Sequence, residues 1–583
     1  MCDIIKKEYK NLTYSCFKER MIMIKICSMC GGTLKPGAVK CSCCGCLVED
    51  VAADRSALFA NYKGEPVQNT GAYHTAPSSV APAAPAASSK AGGYNVFAST
   101  SWQNAWAEKR ANADKLGIIL TNTESASSVG TFMQSLEGYI AHKSARGVEY
   151  CLLDIASQLV CDMPALDVEE VTALLRNIYN VAVPDYLMIV GDSTVIPNAE
   201  WYNVCDDGDE TVPSDLAYIT LDTDSPWDGA VYDFENITQV GRIPAKAENG
   251  FATAMSYFEN TKLFEGYSST KAFAYSALVW EKTSRTEFAH LNPYLVTSPR
   301  YNTNNLGRIG SEYNLACFNL HGSDEDHAWY GQEGWDYPEA FKKELLPVNK
   351  GYMLLTEACY GARPRYAESI VVNAIANNCV AFVGSSKIAY GYGDGNICCA
   401  DVIAQNFTRG VASGMTAGKA FLGALSALSS GYMCEEDIKT LAEFALYGDP
   451  SVTLIAGAAK KSLRRAAPTK FSSVTKDSAR GIKLMSCDGE SGGRSSKGAL
   501  TLYSFSAEEQ AHMKQMASHV TQNGNEYILK KFSAMQSVQP KVYKVVGKEE
   551  YRAVYTKNEG KIKSVVSMHL DGKGNVKKVY HSK

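Results

Sequence analysis

Short apolar runs alternate with longer amphipathic segments through the middle of the chain. The runs have the length of single strands and lack an alternating polar face, which is typical of parallel strands buried between layers of helices. Because a helical segment lies between one run and the next, the pattern predicts an α/β fold: a mainly parallel sheet with helices on both faces. The runs are, in order, GIILTN, VEYCLLDIA, DYLMIVGD, AFAYSALVW, LACFNLHG, YMLLTEA and CVAFVGSS.

The alternation occurs in two rounds, which predict two subdomains of one α/β unit, residues 96–265 and residues 266–456. Residues 51–95 precede it and contain the tract APSSVAPAAPAASSKAGG. Ala, Pro and Ser without periodic apolar residues cannot build a core, so this segment is predicted to be a tether. After the α/β unit, KKSLRRAAPTK predicts a basic linker over residues 457–470, and residues 471–583 predict a small α+β domain.

The last domain is strongly basic. From Lys460 to Lys583 there are 24 Lys and Arg against 10 Asp and Glu, a net charge of +14, although the whole chain carries −4. An acidic partner, or the acidic remainder of this chain, fits such a surface, whereas nucleic acid is disfavoured because no aromatic stacking motif accompanies the charge. The predicted elements are a strand ALTLYSFS, a helix from Ala507 to Val520, and antiparallel strands EYILKKF, PKVYKVVG, EYRAVYTK, KIKSVVSMHL and NVKKVYH.

A cysteine-rich segment over residues 24–50 has the spacing of a metal site. Cys27 and Cys30 form one C-x-x-C-G knuckle, and Cys41 and Cys44 form a second. Four thiolates at this spacing suit a tetrahedral structural Zn²⁺, so the segment predicts a minimal zinc ribbon. The neighbouring Cys43 and Cys46 leave the choice of ligands open, and a disulfide cluster or redox site is the alternative.

The rest of the N-terminal sequence bears on the compartment. The first twenty residues contain no continuous apolar stretch, so residues 1–23 are expected to be a tail rather than a secretory signal, and Met1, Met21 and Met23 all remain candidate starts. No segment approaches the ~18 apolar residues that a membrane span requires. Eight of the 18 cysteines lie in the first 46 residues. Without an export signal this distribution favours reduced thiols and a cytoplasmic protein.

Two of the apolar runs end in reactive side chains. The run ending at Leu320 leads to His321 and Gly322, and the run ending at Thr356 leads through Glu-Ala to Cys359. Because the carboxyl ends of parallel strands meet at one edge of a sheet, the imidazole and the thiol are expected to lie together, as a Cys/His nucleophile requires. Gly322 has no Cβ, so its N–H and that of Cys359 could form an oxyanion hole, worth about 3 kcal/mol per donor.

From Ala113 to Leu454 the chain resembles the gingipain-type cysteine peptidases, relatives of caspases and clostripain. The resemblance implies a caspase-like fold, with His321 as general acid/base and Cys359 as nucleophile. Glu281 stands about where arginine-specific members have an acid beside the histidine. The further segments that carry the resemblance are LEGYIAHKSARGVEY, VTALLRNIYN, DYLMIVGDSTVIP, VPSDLAY, VGRIPAK and LYGDPSVTL.

The resemblance also implies a substrate pocket. Glu287 stands about where those members bind a basic P1 side chain, and Tyr390 or Tyr392 where they have an aromatic pocket wall. The chain differs from them in a shorter Glu281–Glu287 interval, in Glu for Asp and in Tyr for Trp. A solvated acid on a helix face is the alternative interpretation of Glu287.

Relatives often bind Ca²⁺, and the acidic segments DDGDE and DTDSPWDG offer oxygen ligands, with solvated loops as the alternative. The leading expectation is a cysteine endopeptidase acting on protein or peptide substrates, after Arg or Lys. The alternative is an inactive peptidase fold that serves as a scaffold or binding protein through the zinc ribbon and the basic domain.

Overall fold

The computed structural model describes most of two segments of the chain, residues 93–457 and 507–583. Within them, the description leaves out residues 125, 163–165, 222, 224–233, 235–236, 335, 349, 366, 394, 431–432, 533–534 and 546–547. Elsewhere it covers three short strands, at residues 25–26, 33–34 and 484–486. The four predicted zinc ligands, the Ala/Pro/Ser-rich tether, the basic linker and the predicted strand ALTLYSFS lie outside the described residues.

The strands of the described residues are labelled in chain order: β1 Lys25–Ile26, β2 Thr33–Leu34, β3 Lys115–Thr121, β4 Val148–Asp154, β5 Tyr186–Val190, β6 Ala199–Tyr202, β7 Thr211–Ser214, β8 Gln239–Ile243, β9 Ala272–Ala277, β10 Tyr294–Ser298, β11 Leu315–Asn319, β12 Trp329–Tyr330, β13 Glu339–Phe341, β14 Tyr352–Thr356, β15 Cys379–Ser385, β16 Tyr390–Gly391, β17 Phe444–Gly448, β18 Leu484–Ser486, β19 Lys541–Val545, β20 Glu550–Glu559, β21 Ile562–Asp571 and β22 Val576–Ser582.

The α-helices of the same residues are α1 Trp102–Asn112, α2 Val129–Ser144, α3 Val168–Val181, α4 Ala217–Thr220, α5 Ala252–Lys262, α6 Glu281–Glu287, α7 Ile370–Ala376, α8 Cys399–Ala412, α9 Ala417–Ser429, α10 Glu435–Glu443 and α11 Ala507–Lys531.

A ten-stranded sheet forms the centre of the α/β unit, in the order β10-β9-β11-β14-β15-β17-β8-β5-β3-β4. Neighbouring strands are parallel except at β15 and β17, which pair antiparallel. The two rounds of the sequence pattern therefore form one continuous sheet whose halves run in opposite directions. The strands β5, β9, β11, β14 and β15 are buried at every position, which explains why they contain no alternating polar face. The predicted mainly parallel α/β fold is confirmed.

Two buried polar contacts involve segments that carry the family resemblance in the sequence. Arg242, in VGRIPAK, donates to both oxygens of Asp215, in VPSDLAY, at 2.8 and 2.6 Å. Asp449, in LYGDPSVTL, accepts from the hydroxyls of Tyr139 and Tyr150 at 2.5 and 2.6 Å. Each carboxylate is buried, so losing its donors would leave an uncompensated charge inside the domain. These contacts tie the ends of β8 and β17 to the elements around them.

The C-terminal domain forms a second sheet, in the order β16-β22-β21-β20-β19-β18, with α11 packed against it. Its strands β19 to β22 fall where the sequence predicts them. The predicted strand EYILKKF is wrong, because Glu526 to Lys531 belong to the end of α11. Ile528 lies eight residues after Val520, and both are buried in the same core, so the helical period continues through this segment. The strand β16 belongs to the α/β unit, so this sheet joins the two parts of the molecule.

Candidate active site

Two neighbouring parallel strands bring His321 and Cys359 to one edge of the sheet. The strands are β11 and β14, which pair in parallel, and His321 and Cys359 follow their carboxyl ends. The two turns are in direct contact, because a Cβ added to Gly322 would lie 1.7 Å from the carbonyl oxygen of Cys359. Only glycine fits there. The placement of the imidazole and the thiol at one sheet edge is therefore as the sequence predicts, and the glycine after the histidine has a steric reason.

Cys359 is buried, with 2% of its surface exposed. Its thiol donates to the carbonyl oxygen of Ala389 at 3.6 Å. Burial raises the pKa of Cys359 above that of an ordinary thiol, because an apolar environment disfavours the thiolate. The next residue, Tyr360, has a φ of +57° and so turns the chain sharply after the cysteine. The thiol is neutral in this covered state.

His321 is held by backbone pairing with Tyr330, by a contact of 2.8 Å between its Nε2 and Oε1 of Gln332, and by the Trp280 ring, whose centroid lies 4.3 Å away. Burial lowers the pKa of His321 to about 4, although its contacts with Gln332 and the backbone of Lys583 favour the charged form. The imidazole is therefore neutral near pH 7.

Glu281 does not occupy the predicted place beside the histidine. Its carboxylate accepts from Arg285 at 2.6 Å, one turn further along α6, and both side chains are partly exposed. Gln332 makes the polar contact with His321 instead. The prediction depended on Glu281 following an apolar strand, but α6 begins at this residue, and an i,i+4 ion pair on the helix surface takes its charge.

Three buried carboxyl groups lie next to the dyad and are called here the pocket cluster: Glu287, Glu357 and Asp401. One oxygen of each lies within 4.8 Å of the others, and none of the three residues is exposed. Glu287 ends α6, Glu357 follows β14, and Asp401 lies in the first turn of α8. Burial raises the pKa of Glu357, and that of Glu287 to about 8. The neighbouring carboxyl groups act in the same direction, because like charges at this distance cannot all be ionised without a cation.

Lys583, the last residue of the sequence, supplies that cation. Its Nζ lies 2.8 Å from Oδ1 of Asp401, 3.5 Å from Oε2 of Glu357 and 3.0 Å from Oδ1 of Asn319. The ammonium also lies 4.6 Å from the centroid of the Trp280 ring, a cation–π distance. Burial by itself would lower the pKa of Lys583, but the pocket cluster raises it above the ordinary value. The lysine is therefore charged in its pocket.

The main chain of Lys583 contacts the residues around the thiol. The N–H of Cys359 donates to the carbonyl oxygen of Lys583 at 3.3 Å, and the N–H of Lys583 donates to Ala389 at 2.9 Å. Before it, β22 pairs antiparallel with β16, with Ser582 opposite Tyr390. The end of the chain thus lies as an extended peptide whose last carbonyl faces the backbone N–H of Cys359.

Of the predicted pocket residues, Glu287 belongs to the pocket cluster, where it accepts from the amide of Asn319 at 3.1 Å, behind the groups that contact the ammonium. The two tyrosines lie beside the site, since the N–H of Tyr392 donates to Asp401 at 3.0 Å and Tyr390 shares an apolar cluster with Cys359. Their side chains have other partners: the hydroxyl of Tyr390 donates to Asp207 at 2.6 Å, and the Tyr392 ring stacks on Tyr580 with centroids 5.6 Å apart. The aromatic ring over the ammonium is that of Trp280.

The first acidic segment, DDGDE, forms a second charged site, called here the loop cluster: Asp207 and Asp209. Lys439 of α10 lies 2.6 Å from Asp207 and 2.7 Å from Asp209, and its side chain is fully buried. Tyr360 donates to Asp209 at 2.7 Å. The ammonium of Lys439 thus pairs with two of the carboxylates that the sequence offers as Ca²⁺ ligands. Nearly all of the second segment, residues 222–229, lies outside the described residues.

Comparison with known proteins identifies the family of the α/β unit. The family model for peptidase family C25 matches residues 112–455, and the chain belongs to this family, the gingipain family of cysteine peptidases. The match covers both halves of the large sheet. A search of curated proteins finds no match. Across the part of the chain that the structure describes, no helix combines the length and the apolar character needed to cross a membrane.

Sequence reasoning missed five residues of the site: Trp280, Asn319, Gln332, Glu357 and Asp401. Glu357 carried a signal, since it stands at the carboxyl end of the strand that leads to Cys359, where polar groups of α/β sheets gather. Trp280 ends the apolar run AFAYSALVW and carried a similar, weaker signal. Gln332 and Asp401 reach the site through loops and a helix start, and nothing in their local sequence distinguishes them.

Proposed function

We propose that this member of the family is an endopeptidase that cleaves after lysine through a Cys359/His321 dyad. The observation that carries the proposal is the position of Lys583. Its ammonium lies in the pocket cluster, and its carbonyl oxygen accepts from the N–H of Cys359. A substrate lysine bound in the same way would bring its scissile carbonyl to the thiol with an oxyanion donor in place.

The chemistry then follows from the two side chains. The Cys359 sulfur attacks the carbonyl carbon while His321 takes the thiol proton, and the oxygen gains negative charge beside the N–H groups of Cys359 and, as the family resemblance implies, Gly322. His321 next gives the proton to the departing amine, and the C–N bond breaks to leave a thioester. His321 then takes a proton from water, whose oxygen attacks the thioester carbon. The C–S bond breaks, His321 gives its proton to the sulfur, and the new carboxylic acid leaves and ionises in solvent.

The pocket favours lysine over arginine. A lysine ammonium is a compact charge with three donors, and Asp401, Asn319 and the Trp280 ring surround one such point. A guanidinium carries five donors in a wider planar fork, whereas Glu287 lies behind the Asn319 amide and so does not face such a fork. We therefore expect Lys in preference to Arg.

Room beside the thiol supports endopeptidase action rather than removal of a terminal residue. A cleft that includes Cys359 and Tyr360 is bordered by Ser323, Asp324 and Arg363. Residues that follow the scissile bond need such a space, because an endopeptidase binds its substrate on both sides of the bond.

Mass-spectrometric mapping of cleavage sites in a denatured proteome tests the proposal, with Cys359→Ala as the inactive control. The expected result is new termini that follow Lys far more often than Arg and that are absent with the control. Termini that follow uncharged residues would contradict the pocket assignment. Equal cleavage by the control would contradict the dyad. No cleavage by the wild type or by a Lys583→Glu variant, whose own side chain no longer fills the pocket with a cation, would favour the scaffold alternative.

A further inference from the structure

We infer that the C-terminal domain, residues 507–583, is an intramolecular ligand of the catalytic groove, the groove that contains Cys359, His321 and the pocket cluster, and that Lys583 must leave the pocket before a substrate can enter. The inference rests on the proposed function for the identity of the lysine pocket. It concerns a different matter, namely what fills the groove in the whole chain and what the basic domain is for.

The first argument is the geometry of the last strand. The strand β22 pairs antiparallel with β16, the edge strand that the α/β unit contributes to this sheet, with Tyr390 opposite Ser582 and Gly391 opposite His581. Peptides that bind proteins by strand addition use the same backbone pairing, with specificity left to side-chain pockets. Here the pairing runs directly into the lysine pocket, so the segment has the form of a bound peptide.

The second argument is charge. Across the part of the chain that the structure describes, three buried carboxyl groups of the pocket cluster face one ammonium, that of Lys583. The lysine side chain is itself fully buried, so the pocket holds no room for a second cation. A substrate lysine and Lys583 would need the same site, and binding of one therefore excludes the other.

The third argument is that a whole domain, not only its last residues, covers the site. Arg552 of β20 donates to Glu436 of α10 at 2.7 Å, and both side chains are fully buried. Near the histidine, Ser323 donates to the carbonyl oxygen of Lys561 at 2.7 Å, and Lys561 pairs with Asp326 at 2.5 Å. The domain is thus fixed on both sides of the groove.

The C-terminal domain, which covers the site, accounts for the burial of Cys359 and His321. Cys359 is 2% exposed and His321 4% exposed, and Cys359 shares an apolar cluster with Tyr543, Val554 and Tyr580 of the C-terminal domain. A group attached to the same chain acts at an effective concentration on the order of millimolar, so a free substrate at lower concentration competes poorly. We therefore expect low peptidase activity from the intact chain until the domain is displaced.

The test uses the full chain with Lys583→Met, which keeps the length of the side chain and removes its charge, and with Lys583→Glu, which adds a charge that the pocket cluster repels. The matched control is Lys578→Ala, an exposed lysine on the same strand. Two rates are measured for each protein: alkylation of Cys359 by iodoacetamide, followed by mass spectrometry of its peptide, and hydrolysis of a lysyl peptide. Thermal unfolding checks that each variant folds.

The inference predicts that both rates rise about tenfold or more in Lys583→Met, rise further in Lys583→Glu, and stay at the wild-type value in Lys578→Ala. Faster alkylation without hydrolysis in any protein would support the docked domain and refute the proposed function. Hydrolysis at equal rates in all four proteins, with equal alkylation, would support the peptidase and overturn the inference. Equal alkylation with no hydrolysis would overturn both.

Discussion

Among the described residues, the loop cluster and the pocket cluster are two buried acidic sites that are each neutralised by one lysine, and they differ in where that lysine comes from. In the loop cluster the cation is Lys439, in the middle of α10, so the helix holds it on both sides. In the pocket cluster the cation is Lys583, which follows β22 of the C-terminal domain. The first lysine cannot leave without unfolding a helix, whereas the second can leave together with the docked domain.

The pKa values of the acids also differ between the two clusters. Burial opposes ionisation of Asp209, but Lys439 and further hydrogen-bond donors lower its pKa to about 2. In the pocket cluster the three acids face one another around the Lys583 ammonium, and burial raises the pKa of Glu357 and Glu287. The loop cluster is therefore a satisfied structural site, whereas we propose that the cation of the pocket cluster comes and goes.

The largest effect is expected on the free energy of unfolding when Lys439, the cation of the loop cluster, is removed. Lys439→Met leaves two buried carboxylates without their partner, and breaking a buried pair in this way costs about 3–5 kcal/mol. Chemical denaturation should show a loss of that size. Lys578→Met, at an exposed position, is the control and should stay within about 0.5 kcal/mol of wild type. A small loss in Lys439→Met would mean that the two lysines are equally dispensable.

A smaller effect, on activity instead of stability, is expected at the pocket. Asp401→Asn removes the carboxylate nearest the ammonium, and a charged hydrogen bond is worth about 1.5–3 kcal/mol, or roughly 10- to 150-fold in kcat/KM for a lysyl peptide. The measurement belongs in the Lys583→Met background, where the groove is open. A norleucine peptide serves as the control substrate, and its slow hydrolysis should not change. An equal loss for both peptides would indicate a general defect and contradict the pocket role.

The smallest effect is a dependence of stability on pH. The pKa of Glu287 rises from 4.5 to about 8 on folding, so the folded protein holds a proton that the unfolded chain releases. The stability this group contributes is complete below pH 4.5 and is lost as the pH rises through about 8. Glu287→Gln cannot lose it, so its advantage over wild type should grow between pH 5 and pH 8, by about 1 kcal/mol or more.

Thermal unfolding across that pH range checks this expectation. A constant difference between the two proteins would mean that Glu287 is ionised throughout. Glu287→Gln should also lower turnover of lysyl peptides less than Asp401→Asn does, because the Asn319 amide lies between Glu287 and the ammonium.

The sequence was sufficient for the sheet and for the two residues at its edge. Buried parallel strands have a strong local pattern, and the carboxyl ends of β11 and β14 locate His321 and Cys359 without further knowledge. The polar partners were harder, because they come from elements distant in sequence. Asp401 reaches the pocket from the start of α8, and Gln332 reaches the histidine from a loop. Neither position has a local pattern that sets it apart.

For the C-terminal domain, the net positive charge was the one feature of the sequence that indicated a role. A net charge of +14 predicts an acidic partner, and the acidic remainder of the chain was one alternative. In the structure Lys561 and Lys583 both pair with acids of the α/β unit. That one particular lysine enters the pocket depends on the docking of a whole domain, which no local pattern encodes. The zinc ribbon stays a prediction, which the zinc content of the purified protein can test.

The most direct test of the exchangeable cation adds the end of the chain back as a separate peptide. Peptides Tyr-His-Ser-Lys and Tyr-His-Ser-norleucine are added to the Lys583→Glu variant, and hydrolysis of a lysyl peptide and alkylation of Cys359 are both followed. We expect the lysine peptide to slow both rates at millimolar concentration, because it has lost the advantage of the tether, and the norleucine peptide to be at least about tenfold weaker. Equal inhibition by the two peptides, or none by either, would contradict the account.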